Sequence, residues 1–275
     1  MSNARFGFRT RNGQISTFIQ STNALDADAL AFINATGITN TTQINAIYSL
    51  VTSLKNYNLW DKLNAIYPFI GGTSTTCKYN LKDPRDLNLA YRLIFVGGWT
   101  FSANGALPNG TNAYADTKYI PFYQEIFDDE HLCFALNTNT TETSSDPGQI
   151  GAYNSNTQSS TMFINNSLTL GGRLNGNVIS GTISTRIGVS IGVKTSATVT
   201  TFYKDGVQIA TGNSGGTLSN APIYIGTPWV FGGAYGSGYT KNQFTFVSMG
   251  KSLSATDVTN YTNTINNFNT ALSRW

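Results

Sequence analysis

The nearest match to a nucleophile motif is Gly212-Asn-Ser-Gly-Gly216, which fits the G-x-S-x-G pattern of serine hydrolases. In those enzymes the serine lies on a sharp turn from a strand into a helix. Here the motif follows one strand-like run and precedes another, so we interpret it as a flexible loop. The single histidine, His131, begins an alternating run typical of a sheet edge or core. Without a convincing serine or cysteine partner, it is expected to be structural.

Paired carboxylates would give glycosidase chemistry, in which an acid and a nucleophile flank the bond that is cleaved. The best candidates lie in Glu125-Ile-Phe-Asp-Asp-Glu130, where Asp128 and Glu130 share a strand face and Glu125 points the other way. The same stretch has the composition of a charged turn, and the only other glutamate is Glu142. We therefore expect no catalytic activity, with a glycan-cleaving enzyme as an alternative.

Metal ligands and reactive cysteines are also sparse. No cysteine or histidine cluster has the spacing of a zinc site. Asp83, Asp86 and Asp116 could join backbone carbonyls around calcium, but Asp83-Pro-Arg-Asp86 is more simply a turn with paired charges. We predict neither a metal nor another cofactor. Cys77 and Cys133 sit beside strand-like residues and are expected to be buried free thiols.

The remaining candidate site is a binding surface on residues 226–242, a long segment rich in glycine and aromatic residues. Exposed aromatic rings beside amide and cationic side chains suit sugar faces or protein partners. The alternative is that this loop folds onto its own domain or onto a neighbouring subunit. The candidate ligand-binding residues are Trp229, Phe231, Tyr235, Tyr239 and Asn242.

The N-terminal residues 1–22 have the pattern of an extended basic arm, because three arginines precede the first acid, Asp26. The arm is either a solvated tail or a segment that docks on another subunit. The net charge of +3 is too small to indicate a nucleic-acid partner. No signal peptide is visible and no apolar run approaches the roughly 18 residues of a membrane span, so we expect a soluble protein. The candidate anchoring residues are Arg5, Phe6, Phe8, Arg9 and Arg11.

Composition indicates the elements that must position these residues. Charged residues make up 11% of the chain, against roughly 25% in an average soluble domain, and asparagine, threonine, serine and glycine replace them. From about residue 77, short β-prone runs separated by turn residues predict an antiparallel sandwich or barrel. Asp205-Gly206 predicts a type I′ hairpin turn, and residues 119–123 are among the predicted strands.

Helical patterns flank the predicted strands. Residues 23–72 are predicted to form a compact helical module, with a helix from Asp26, a second one capped by Thr41 or Thr42, and a helical turn over 59–66. Residues 73–275 form the predicted sandwich, which ends in a helix over 254–272 capped by Ser254 and Asp257. The apolar stripe of that helix either covers its own domain or forms a seam between copies, as in a trimer.

Two sets of segments carry a resemblance. Residues 202–210, 223–226 and 246–257 resemble the late hairpin, last strand and closing helix of concanavalin A-like (laminin G-like) domains, over roughly the second half of the chain. The resemblance implies a mainly β, concanavalin A-like antiparallel jelly-roll sandwich with a small N-terminal helical module and a C-terminal helix. It leaves the ligand unspecified.

The first half resembles a segment of bacteriophage virion proteins in which a short helical module precedes such a jelly roll. The resemblance implies a fibre, spike or decoration of the phage head or tail, assembled in the host cytoplasm and located in the virion. It also implies contacts with other virion proteins and a homo-oligomer, commonly a trimer. The segments that carry it are residues 59–63, 67–72, 79–83 and 109–116.

Together these features predict a non-enzymatic virion structural protein that displays a lectin-like jelly roll for attachment to a host-surface glycan. The first alternative is a purely architectural capsid or tail decoration protein without a ligand. The second is a glycan-degrading depolymerase. A secreted bacterial adhesin is a third possibility, weakened by the missing signal peptide.

Overall fold

A computed structural model describes residues 26–124, 128–144, 147–227 and 238–275, together with the backbone of two short N-terminal strands. These strands, β1 (Phe8–Arg9) and β2 (Ile15–Ser16), pair antiparallel. Of the predicted anchoring residues, Arg5, Phe6 and Arg11 lie outside the described residues, and only the backbone of Phe8 and Arg9 is described.

The two predicted N-terminal helices are present as α1 (Ala27–Thr36) and α2 (Thr41–Asn56). The Asp26 side chain caps α1 by accepting hydrogen bonds from two first-turn amides, and Gly37 ends the helix in the left-handed region. The cap of α2 is Asn40, which accepts from the amide of Gln43, and not the predicted Thr41 or Thr42. Asparagine is as good a cap as threonine, so composition alone does not distinguish them.

The predicted helical turn over 59–66 is wrong in its second half. A 3₁₀ turn covers Trp60–Lys62, and β3 (Leu63–Tyr67) then pairs with the last strand of the larger sheet. Apolar residues lie on both faces of β3, and such a short run cannot be told from a buried helical turn by periodicity. The division of the chain at residues 22 and 72 stays a prediction.

Short helical elements and fourteen further strands follow. The helix α3 covers Ser74–Cys77 and a 3₁₀ turn covers Asn88–Ala90. The strands are β4 (Ile94–Val96), β5 (Trp99–Ser102), β6 (Gly105–Pro108), β7 (Tyr114–Asp116), β8 (Glu130–Leu136), β9 (Gly148–Ser155), β10 (Gln158–Ile164), β11 (Thr169–Leu174), β12 (Ile179–Thr182), β13 (Gly188–Ser196), β14 (Val199–Lys204), β15 (Val207–Asn213), β16 (Tyr224–Ile225) and β17 (Phe244–Gly250).

Two antiparallel sheets form the sandwich, which confirms the predicted fold class. The smaller sheet has seven strands in the order β12-β11-β10-β9-β16-β7-β4. The larger has eight, in the order β15-β14-β13-β8-β17-β6-β5, with β3 also paired to β17. The predicted hairpin turn at Asp205-Gly206 is confirmed, since both residues have positive φ and Lys204 pairs with Val207.

One predicted strand, over 119–123, is instead the short helix α4 (Pro121–Gln124). Proline has no amide hydrogen for a ladder, so Pro121 argues against a central strand at this point. The neighbouring Tyr119 is nevertheless fully buried in the core between the sheets.

The chain buries two apolar layers. One lies between the sheets and contains Phe134, Met162 and Phe244. The other lies on the far side of the larger sheet, where α1, α2 and the C-terminal helix α5 (Ala255–Ala271) cover it. The Ser254–Asp257 capping box is confirmed, and the apolar stripe of α5 packs on its own domain. None of the described helices is long and apolar enough to cross a lipid bilayer.

Candidate functional site

The structure places the candidate nucleophile and base in structural positions. Ser214 is fully buried after the end of β15 and donates a hydrogen bond to the carbonyl of Leu174 at 2.7 Å. His131 is buried under α5, and its Nδ1 donates to the carbonyl of Lys251 at 2.5 Å. Burial lowers the pKa of His131 to about 4, so this ring is neutral at physiological pH.

Both cysteines are buried free thiols, as predicted. Burial raises the pKa of Cys77 to about 11, and it raises the pKa of Cys133 further still. Thiols that stay protonated are poor nucleophiles. These two residues therefore behave as small apolar core side chains.

Of the candidate carboxylates, Glu130 is buried inside the sandwich, whereas Asp128 lies in the turn before β8 and is half-buried. Glu130 points between the sheets, where Ser160 Oγ lies 3.1 Å from its Oε1. Burial raises the pKa of Glu130 to about 7, against the opposing hydrogen bond of Ser160 and the charge of Lys194. The neighbouring Asp129 bonds to the backbone, since its Oδ1 accepts a hydrogen bond from the amide of Ser252 at 2.6 Å. Glu125 lies outside the described residues.

The aspartates considered for calcium form ion pairs with basic side chains. Asp83 pairs with Arg85, and Asp116 pairs with Lys118 at 2.6 Å. Asp86 pairs with both Lys78 and Arg92. Within the described residues, no group of three or more histidine, cysteine or acidic side chains could hold a metal ion.

Most of the predicted aromatic site lies outside the described residues, namely Trp229, Phe231 and Tyr235. Tyr239 is described and half-buried, and it forms an isolated parallel bridge with Gly148. The structure gives Asn242 an interior place that differs from its predicted role in ligand binding. Its side chain is fully buried. Its amide oxygen accepts a hydrogen bond from the backbone amide of Thr140, and its amide nitrogen donates one to a buried carboxylate.

That carboxylate belongs to Glu142, the centre of a polar cluster beside the predicted loop. Its Oε1 accepts from Thr240 Oγ1 at 2.5 Å and from Asn242 Nδ2 at 2.6 Å. Its Oε2 accepts from the amide of Lys241 at 2.8 Å. Asn242 also accepts from the amide of Thr140 at 2.8 Å. These bonds hold residues 240–242 against residues 140–142, so the cluster has a structural role.

A better candidate site lies on the outer face of the smaller sheet. The register aligns residues of five neighbouring strands in one row across that face, because each is paired directly with the next. None of them belongs to the core between the sheets, and their strand neighbours Leu174, Met162 and Ile150 do. Alternation therefore directs this row outward. The row is Arg173, Thr161, Gly151, Tyr224 and Asp116.

Small residues occupy the middle of this row, and we call this part of the outer face the outer trough. Its floor is Gly151 and Thr161, both buried, and it is flanked by the half-buried rings of Tyr153 and Phe163 on the same two strands. Glycine is needed at position 151 because φ is +149° and a Cβ would collide with the carbonyl oxygen of Ser160. The floor is thus shaped by backbone contact between β9 and β10.

One end of the outer trough is aromatic and the other is basic. At the first end Tyr224 meets Tyr114 edge to face, with ring centroids 5.6 Å apart. Burial raises the pKa of Tyr224 to about 12, helped by the nearby charge of Asp116, so its hydroxyl stays a hydrogen-bond donor. At the other end stands Arg173, half-buried. This row of rings, hydroxyls and a guanidinium has the chemistry to bind a polar ligand with apolar faces.

No protein-family model matches the sequence, and no curated protein sequence matches it. Solved structures with a similar fold include a mutant Trypanosoma rangeli sialidase displaying trans-sialidase activity. It has a TM-score of 0.52 and 13% identity, with 81% of this chain and 39% of the sialidase covered.

A second is botulinum neurotoxin type C, whose cell entry depends on interaction with two ganglioside molecules. Here the TM-score is 0.51 and the identity 12%, with 76% of this chain and 52% of the toxin chain covered. For domain 4 of an extracellular arabinanase from Geobacillus stearothermophilus, in complex with arabinotriose, the TM-score is 0.45 and the identity 14%. The match covers 73% of this chain and 98% of the arabinanase domain. This chain spans about half or less of the toxin and sialidase chains. At such identities the likeness shows the jelly-roll fold alone.

Proposed function

We propose that the chain is a non-enzymatic, glycan-binding jelly roll and that the outer trough holds the sugar. The observation that carries the proposal is a small-residue floor, Gly151 and Thr161, between the rings of Tyr153 and Phe163. A sugar ring can pack its C–H face on an aromatic ring while its hydroxyls bond to polar side chains at the edges. The interaction of the toxin of similar fold with two ganglioside molecules is in keeping with this use of a jelly roll.

A non-catalytic role is supported by where the carboxylates lie. Of the three glutamates, Glu130 and Glu142 are buried and engaged in internal hydrogen bonds. A glycosidase needs two carboxyl groups that flank the scissile bond within a ligand site. On the outer trough's row the one carboxylate is Asp116, which is paired with Lys118.

We also propose that the chain is a component of a bacteriophage virion, as a fibre, spike or decoration of head or tail. The sequence resemblance over residues 59–63, 67–72, 79–83 and 109–116 supports this proposal. The arrangement suits it, because the helices lie on one side of the sandwich and the outer trough on the other. Detection of the chain in purified particles, and its absence from empty-host material, is the expected result.

The glycan proposal is tested on an array with the wild-type chain, Tyr153→Ala and Phe163→Ala. Loss of one aromatic contact is expected to weaken binding about tenfold. The matched control is Tyr57→Ala, an exposed tyrosine just after α2, which should bind like the wild type. Trough variants that bind like the wild type would contradict this site. If Trp229→Ala and Tyr235→Ala alone lose binding, the sugar lies on the aromatic loop instead.

A further inference from the structure

Arg173 stands apart from the other described arginines because nothing in the described chain uses its guanidinium. Arg85 and Arg92 pair with aspartates. Arg186 and Arg274 donate to carbonyl and amide oxygens, among them the carbonyls of Asn165 and Phe69. In the described residues Arg173 has no ion pair and no side-chain hydrogen bond, although it is half-buried at the end of the outer trough.

We propose that the outer trough selects glycans that carry a carboxylate, such as uronic or sialic acids, and that Arg173 pairs with this carboxylate. The inference rests on the proposed function, since it names the class of sugar for the same site. A guanidinium presents parallel N–H groups in a planar fork that matches the two oxygens of a carboxylate. A lysine at this position would supply charge without that geometry.

The charges along the row favour a ligand carboxylate at the Arg173 end of the outer trough. Arg173 and Asp116 are the charged members of the row, and Lys118 neutralises Asp116 at 2.6 Å. The row together with Lys118 therefore carries a net positive charge, which resides on Arg173. Because Arg173 is partly withdrawn from water, a charge-assisted hydrogen bond there is less screened than on an open surface.

The dimensions fit a short oligosaccharide. Three strand spacings separate Arg173 from Tyr224, which is about 14 Å across the sheet. The acidic unit would bond to Arg173, and the next units would cross the floor of Gly151 and Thr161 toward the tyrosines. Arg173 is in this arrangement a specificity residue, and the rings of Tyr153 and Phe163 supply binding that does not depend on charge.

The test compares matched acidic and neutral probes by titration: sialyllactose with lactose, and oligogalacturonate with its methyl ester. Sulfated lactose serves as a second anion. The proteins are the wild type, Arg173→Gln, Arg173→Lys and Arg85→Gln, an exposed arginine on another surface. For at least one acidic probe, wild type should bind about 10- to 100-fold tighter than to its neutral counterpart. Arg173→Gln should abolish that preference, so that the acidic probe binds no more tightly than its neutral counterpart.

Arg173→Lys should recover part of the preference, and Arg85→Gln should behave as the wild type. Equal wild-type affinity for acidic and neutral probes, or a preference that survives in Arg173→Gln, would overturn the inference while the glycan-binding proposal stands. Stronger binding of the sulfated probe than of every carboxylated one would also overturn it. Failure of all probes, neutral ones included, would count against the proposed function itself. Thermal unfolding of each variant verifies that it is folded.

Discussion

The two outer faces of the sandwich are built from different residues, and only one of them is covered by helices. On the larger sheet most outward side chains of β8, β13 and β17 are apolar, and the helices α1, α2 and α5 bury them. On the smaller sheet the outward row combines tyrosine, glycine, threonine, arginine and aspartate. One face is therefore part of the core, and the other keeps groups suited to a ligand. The contrast locates the candidate site better than any single motif.

The same contrast appears within one strand. Glu130 and His131 are neighbours on β8 and both are buried, but Glu130 points between the sheets and His131 points toward α5. Burial disfavours the charged form of each residue, which raises the pKa of the acid and lowers that of the base. Protonation of Glu130, between the sheets, should therefore stabilise the fold, whereas protonation of His131, under α5, should destabilise it.

The largest expected effect is on the helix-covered face. Phe246 is fully buried against Tyr261 and Phe268, so Phe246→Ala should lower the free energy of unfolding by about 3–5 kcal/mol. The matched variant on the open face, Phe163→Ala, should lower it by about 1 kcal/mol or less, since that ring is half-exposed. Urea denaturation measures both. Equal losses of unfolding free energy in the two variants would mean that Phe163 is a core residue.

The next effect is the pH dependence from Glu130. Its pKa is about 7 in the folded protein and ordinarily 4.5, so the folded state keeps a proton that the unfolded chain has released. This contribution is complete below about pH 4.5 and is lost as the pH rises toward about 7. The wild type should therefore lose stability relative to Glu130→Gln over that interval, by at most on the order of 3 kcal/mol. Urea denaturation from pH 4.5 to 8 tests this, and parallel curves would contradict it.

His131 should act with the opposite sign. Its pKa is ordinarily 6.5 and about 4 in the folded protein, so its contribution is complete above about pH 6.5 and is lost as the pH falls toward 4. Between about pH 4 and 7 the two contributions therefore overlap with opposite slopes. His131→Gln should remove a gain in stability with rising pH, whereas Glu130→Gln should remove a loss. Denaturation of both variants from pH 4 to 8 measures the two slopes. Slopes that change in the same direction in both variants would contradict this assignment.

A smaller effect is expected at Asn242. Replacement by alanine removes the amide that bridges Glu142 and Thr140 and leaves buried polar groups without partners. We expect Asn242→Ala to cost about 1–3 kcal/mol in unfolding free energy. Tyr239→Ala, at a half-buried position nearby, serves as the control and should cost less. If Asn242→Ala keeps its stability but loses glycan binding, Asn242 belongs to the ligand site as the sequence predicted.

The local elements were predictable because their signals lie close together in sequence. The Ser254–Asp257 capping box and the Asp205-Gly206 turn each depend on residues within a few positions, and both are confirmed. The spacing of short β-prone runs predicted a sandwich or barrel, and the resemblance of residues 202–210, 223–226 and 246–257 implied the jelly roll. By contrast, β3 carries apolar residues on both faces, which made it read as a helical turn.

The outer trough was not predictable, because it depends on which strands become neighbours. Tyr224 lies on β16, a strand of only two residues, too short to show alternation. It meets Gly151 only because β16 inserts between β9 and β7. The interior position of Asn242 was not predictable for a related reason, since its hydrogen-bond partner Glu142 is 100 positions away. Residue types indicated binding chemistry, but the register decided where it lies.

Amide chemical-shift mapping during titration with a glycan that the wild-type chain binds tests the position of the binding site most directly. Binding in the outer trough predicts the largest shifts at Gly151, Thr161 and Arg173 on the smaller sheet, with α2 unchanged. Largest shifts on α2, or confined to residues 238–242, would contradict the claim that the outer trough is the binding site.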